Sequence, residues 1–195
     1  MVYIIIGVVL LLIISPIMAV LPSARQKQQM SMRRDAMALG INVELTSILD
    51  PIPRQEKYLS STGKQLEPKL SVLAYRMARK TPQSWRKPTT VNWAIERRVS
   101  SVDAYLPDTW SWEEKKPENM SGELVDFIAA EIILLPDDVV RVDEINRIIS
   151  IYWHERSDAD GVQQIAKFLD GCTRRPEVKA DGDFEGDSSD VNDLS

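Results

Sequence analysis

Residues 139–155 read VVRVDEINRIISIYWHE, two runs rich in β-branched and aromatic side chains on either side of Asn146. Val139 to Ile145 and Ile148 to Glu155 each have strand length, and asparagine tolerates the backbone of a tight turn, so the stretch predicts a β-hairpin. Helical patterns flank it. Upstream, Leu124, Phe127, Ile128, Ile132 and Leu135 recur on one helical face, with Ser121 placed as N-cap and Pro136 as stop. Downstream, a helix from about Asp158 carries Val162, Ile165, Ala166 and Leu169 on one face and ends near Gly171.

Toward the N-terminus the period is two. Ile41, Val43 and Leu45 alternate with Asn42, Glu44 and Thr46 after Gly40, and Leu70 to Arg79 and Val91 to Arg97 repeat that character. Loops marked by Pro51, Pro53, Gly63, Pro68, Pro82 and Pro88 separate them, and the stretch with Trp110, Trp112 and Pro117 reads as a further connection. Short links favour antiparallel neighbours. The expected domain, residues 41–176, is therefore α+β: a small five-stranded, mainly antiparallel sheet with two helices on one face.

Before it, residues 23–40 predict a short basic amphipathic helix in which Met32, Ala36 and Leu39 share a face and Met30 and Met37 form a second stripe. Residues 2–21, VYIIIGVVLLLIISPIMAVL, precede the first charged side chain, Arg25. Twenty such residues span about 30 Å as a helix, so residues 1–22 are expected to form a transmembrane helix. Arg25, Lys27, Arg33 and Arg34 follow with no acid before Asp35, which predicts a single-pass inner-membrane protein, N-terminus outside and soluble domain cytoplasmic. Those four are the expected contacts to an anionic lipid bilayer. Residues 1–100 hold 15 Lys and Arg against 6 Asp and Glu, and residues 101–195 hold 9 against 23. The last stretch, DGDFEGDSSDVNDLS, has six acids and no base, so residues 177–195 are expected to be a disordered acidic tail.

Composition excludes several chemistries. With Cys172 and His154 the only residues of their types, neither an intramolecular disulfide nor a Cys/His zinc site is available. No EF-hand spacing, P-loop or Gly-x-Gly-x-x-Gly occurs, so no cofactor is expected. Cys172 and His154 as a thiol dyad, and the pairs Asp137-Asp138 and Asp143-Glu144 as acid/base groups, read better as structural and solvated residues. The scattered bases and net charge of −5 give no support to nucleic-acid binding. Of the five tryptophans, Trp93 and Trp153 lie on strands and read as core. Trp110 and Trp112 lie in the charged connection and are the expected exposed anchors for a protein partner.

The exit sequence Pro22-Ser23-Ala24-Arg25-Gln26-Lys27-Gln28-Gln29-Met30, followed by Gly40-Ile41-Asn42-Val43-Glu44-Leu45-Thr46, resembles the start of the YajC family, small accessory subunits of the bacterial Sec translocase. The whole chain, with its Leu135-Pro136-Asp137-Asp138-Val139-Val140 run, resembles a family of proteobacterial inner-membrane proteins without an established activity. These resemblances imply a bacterial inner-membrane location; for want of catalytic groups in the sequence, the expected function is non-enzymatic, a cytoplasmic domain that binds a protein partner, with a complex such as the translocase as one setting. The alternative is a membrane-tethered domain that binds a small ligand or lipid through its tryptophans.

Overall fold

The computed structural model describes residues 2–7, 9, 11–12, 23–80, 90–98 and 105–179. The strands are β1 (Asn42–Leu49), β2 (Lys69–Ala78), β3 (Trp93–Arg97), β4 (Trp110–Trp112), β5 (Val139–Ile145) and β6 (Ile148–Trp153). The helices that follow the N-terminal segment are α1 (Ala24–Ala38), α2 (Gly122–Glu131) and α3 (Asp160–Arg174). β5 and β6 form the hairpin, turning through Asn146 and Arg147 at φ 51° and 66°. Positive φ at both central residues matches the right-handed twist of the two strands and keeps the turn to two residues.

All neighbours in the sheet are antiparallel, in the order β1-β2-β6-β5-β3-β4. The sheet thus has six strands where the sequence predicts five. The sixth is β4, Trp110-Ser111-Trp112, which pairs with β3 through Ile95↔Trp112 and Arg97↔Trp110. Three residues are too short a run for alternation to be distinguished from chance. One irregularity breaks the ladder: Val139 faces Trp153 and Arg141 faces Tyr152, so Val140 is an extra residue. The bulge lets Val139 and Val142 both enter the core.

One face of the sheet carries Leu73, Tyr75, Met77, Ile95, Val142, Ile149, Ile151 and Trp153 into the main core. Against it lie not two helices but three: α2 contributes Leu124, Val125 and Ile128, α3 contributes Val162, Ile165, Phe168 and Leu169, and α1 adds Met32 and Ala36. α1 starts in a capping box, in which Ser23 Oγ accepts from the Gln26 amide at 3.2 Å and Gln26 Oε1 accepts from the Ser23 amide at 2.8 Å. It ends at Leu39, and Gly40 at φ 80° turns the chain into β1, a conformation that costs glycine little. α2 and α3 approach so closely that a Cβ on Gly171 would stand 2.2 Å from Cζ of Phe127.

Two expectations about the chain ends need correction. Among the described residues no helix is long and apolar enough to cross a membrane. Residues 2–7, 9 and 11–12 of the expected span are helical, and residues 8, 10 and 13–22 lie outside the described residues. A single-pass inner-membrane protein with N-terminus outside and domain cytoplasmic is therefore not sustained. At the other end, order continues past Pro176. Val178 bridges to Met120, the Ser121 amide donates to the Glu177 carbonyl at 3.1 Å, and Glu177 is buried. Residues 180–195, the rest of the expected tail, lie outside the described residues.

Where β2 ends, Arg79 is fully desolvated and makes a two-pronged ion pair with the equally buried Glu144 of β5, through Nε to Oε1 and Nη2 to Oε2. Trp93 Nε1 donates to the same carboxylate at 2.9 Å, and Arg79 Nη1 donates to the carbonyls of Cys172, at 3.0 Å, and Arg175 at the end of α3. Removing one partner of such a pair strands a buried charge, whereas removing both often costs little. We expect Arg79→Leu to lower unfolding free energy by about 3–5 kcal/mol, and the double variant Arg79→Leu, Glu144→Leu to recover most of that loss in urea unfolding.

Candidate functional site

Hydrogen-bond phase along β1 decides what the molecule presents at its longest edge. The Asp50 amide donates to the Pro68 carbonyl at 2.8 Å, and the register places Ile48 against Leu70, Thr46 against Val72 and Glu44 against Ala74. In an antiparallel ladder hydrogen-bonded pairs recur every second residue. The even-numbered residues of β1 therefore aim their amides and carbonyls at β2. Val43, Leu45, Ser47 and Leu49 aim theirs away from the sheet. The other side of β2 agrees: the Arg79 amide donates to Arg147 at 2.9 Å, which gives the odd-numbered residues of β2 to β6.

Among the described residues β1 is the terminal strand of the sheet, and of the devices that usually blunt an edge it has one charge, Glu44, which is paired with Arg76. It runs eight residues, pairs with β2 without a bulge, and contains no proline or lysine. Leu45 is 74 % exposed and Leu49 60 %, both on the helix-bearing side of the sheet. The opposite terminal strand, β4, is three residues long and its two tryptophans are buried. Among the described residues the sheet thus has one closed edge and one open one.

α1 is fastened next to the open edge. Arg33 reaches Glu155, just past β6, with Nε at 2.9 and 3.0 Å from its two oxygens and Nη2 at 2.6 Å from Oε2. The Glu155 side chain is fully buried and also accepts from Tyr75 Oη at 2.8 Å. Burial and that carboxylate push the Tyr75 phenol far up. Glu155 holds φ 51°, so the chain bends sharply where it meets the helix.

The expected lipid contacts are thereby divided. Arg25, Lys27 and Arg34 are exposed on α1, while Arg33 is a partly exposed clamp on the buried Glu155. Met30 and Met37 are also exposed, and Met32 and Ala36 form the buried stripe. Trp110 and Trp112 are not the exposed anchors the sequence suggested. Trp110 is buried with the Arg97 guanidinium 4.6 Å above its ring, and Trp112 meets Trp93 edge-on at 6.3 Å. Trp93 and Trp153 are buried as well and Trp85 lies outside the described residues, so no exposed tryptophan surface for a small ligand is found among the described residues.

The groups considered for catalysis have structural surroundings. Cys172 is buried under the Arg79 contact, and desolvation pushes its thiol far up, away from the reactive thiolate. His154 is half-buried, and burial together with the Arg156 cation lowers its pKa. Asp137 and Asp138 precede β5, and Asp138 binds the Arg156 amide at 2.6 Å and the Ser157 hydroxyl. Asp143 lies on the helix-free side, where Arg141 gathers it at 3.1 Å, Glu96 at 2.7 Å and Glu113 at 2.7 and 2.9 Å. Burial raises the Asp143 carboxyl above the usual range against the pull of Arg141. Among the described residues no group of three or more His, Cys, Asp or Glu is placed to hold a metal ion.

Compared with family models, curated proteins and solved structures, the chain matches none at a significant level. Function is therefore argued from geometry alone.

Two expectations follow. Arg33→Ala leaves Glu155 buried without its cation, and we expect a loss of roughly 2–3 kcal/mol, with faster hydrogen exchange confined first to α1. Asp143 has a folded pKa above its unfolded one, so the native state binds the extra proton and the contribution of Asp143 to stability falls as pH rises from the ordinary carboxyl range. Asp143→Asn should remove that slope, gaining on wild type between pH 4 and pH 7 in paired denaturation curves.

Proposed function

We propose that this chain is a non-enzymatic protein-binding module that takes an extended protein segment onto the edge of β1. The carrying observation is the outward row of amides and carbonyls at Val43, Leu45, Ser47 and Leu49 on a terminal strand that has no proline, no bulge and no charge besides Glu44. Main-chain hydrogen bonds supply affinity in such strand addition, and side chains at alternate positions supply selectivity. Leu45 and Leu49, with Val43, present the apolar row against which a strand with apolar residues at every second position packs.

The non-enzymatic part of the reading rests on the same groups that were candidates for chemistry. Cys172 is closed in beneath the end of α3, and Asp143 is committed to Arg141. Glu96 and Glu113 share the same guanidinium, so the three carboxylates of that cluster are held in ion pairs.

Ser47→Pro tests the reading selectively. Its amide points away from β2, so proline removes an outward donor and no hydrogen bond of the sheet, the position at which edge strands accept proline. We expect the variant to unfold within about 1 kcal/mol of wild type and to lose the proteins that co-purify with the full chain. Equal recovery of those proteins by variant and wild type would place binding elsewhere.

A further inference from the structure

β1 is complementary to itself. An antiparallel strand added to this edge pairs through residues whose amides face outward, which here are 43, 45, 47 and 49. If the incoming strand is a second β1, one register maps that set onto itself: Val43 against Leu49, Leu45 against Ser47, and the reverse, around a two-fold axis through Thr46. Every outward amide and carbonyl of both strands is then used. Sliding by two residues one way leaves Leu49 of each copy beyond the end of the other β1. Sliding further the same way sets Glu44 against Glu44 across the axis.

Side chains agree with the fully paired register. On the helix side Leu45 lies diagonal to the partner's Leu45 and the partner's Leu49, so the exposed leucines of both strands form one apolar row. On the other side Glu44, the single charge of the strand, keeps its ion pair with Arg76 and comes opposite the partner's Ile48. No two like charges come directly opposite each other across the seam.

We propose that the occupant of the β1 edge is a second copy of this chain, joined by antiparallel β1–β1 pairing into a two-fold symmetric dimer with one continuous twelve-stranded sheet. The proposal rests on the reading of β1 as a docking edge and adds the identity of its partner. Closing the edge in this way also removes the unpaired strand that would otherwise recruit chains without limit.

The register gives a direct test in the full chain. Thr46 sits on the axis in a non-hydrogen-bonded pair, where Cα atoms stand about 4.5 Å apart, inside the range a disulfide spans. Thr46→Cys, oxidised with copper phenanthroline in a lysate of expressing cells, should run mostly as a dimer on a non-reducing gel. Leu49→Cys places the two thiols six positions apart, about 20 Å, and should stay monomeric, as should wild type, whose Cys172 is buried. Adding Ser47→Pro to Thr46→Cys should abolish the link.

Failure of Thr46→Cys to link overturns the second-copy proposal. If a foreign protein is nonetheless retained by wild type and lost by Ser47→Pro, the docking edge stands and its occupant is that protein. A dimer that links equally through Leu49→Cys, or that survives Ser47→Pro, overturns the proposed register and the docking edge together.

Discussion

Arg79 and Glu144 meet where no water reaches either side chain, and each then needs every hydrogen bond its neighbours supply. Those neighbours come from separate parts of the chain: Trp93 on β3, the Cys172 and Arg175 carbonyls closing α3, and Glu177 beyond it. The carbonyls at the C-terminal end of a helix lack intrahelical donors, so a guanidinium there satisfies the helix as well as the carboxylate. One desolvated pair thereby fixes the end of β2, the middle of the sheet and the last turn of α3 in a single arrangement. A core of aliphatic side chains alone tolerates repacking, and a two-pronged charge pair does not.

Once that arrangement is fixed, the asymmetry of the sheet follows from the chain path. β6, β5 and β3 fill the interior, β4 is too short to template another strand, and β1 is left as the long outer strand. β1 differs from an ordinary edge in keeping two leucines in water on the side where its neighbours are covered by helices. A strand with that pattern is metastable as an edge and complete as an interior strand. Its functional reading depends on this difference and on no reactive group.

How much of this the sequence discloses can be argued element by element. The hairpin 139–153 and the faces of α2 and α3 are legible because each repeats its period several times. Gly40 is legible as the end of α1, since few other residues accept its φ. The alternation of Ile41 to Thr46 marks a strand but says nothing of its place, since strand order depends on pairings such as β2 with β6 that join residues far apart. Trp110 and Trp112 mislead because a charged neighbourhood in sequence suggests exposure, whereas Arg97 and β3 cover them in space. Arg33 looks like one more base in a basic helix, and its partner Glu155 lies 122 positions away. At the N-terminus, hydropathy counts apolar residues but does not guarantee one unbroken helix of bilayer length, and none is present among the described residues.

The fastening of α1 has a mechanical consequence. Leu39, Gly40 and Ile41 alone connect α1 to β1, so a pull applied through the residues before Ser23 would be expected to peel the edge strand from the sheet. The Arg33–Glu155 clamp intercepts that load upstream of β1 and delivers it beside the end of β6, a strand held on both sides. Tension on the N-terminal segment is thus borne by the middle of the sheet, and the outermost strand stays slack, its outward amides keeping their spacing while the chain is under strain.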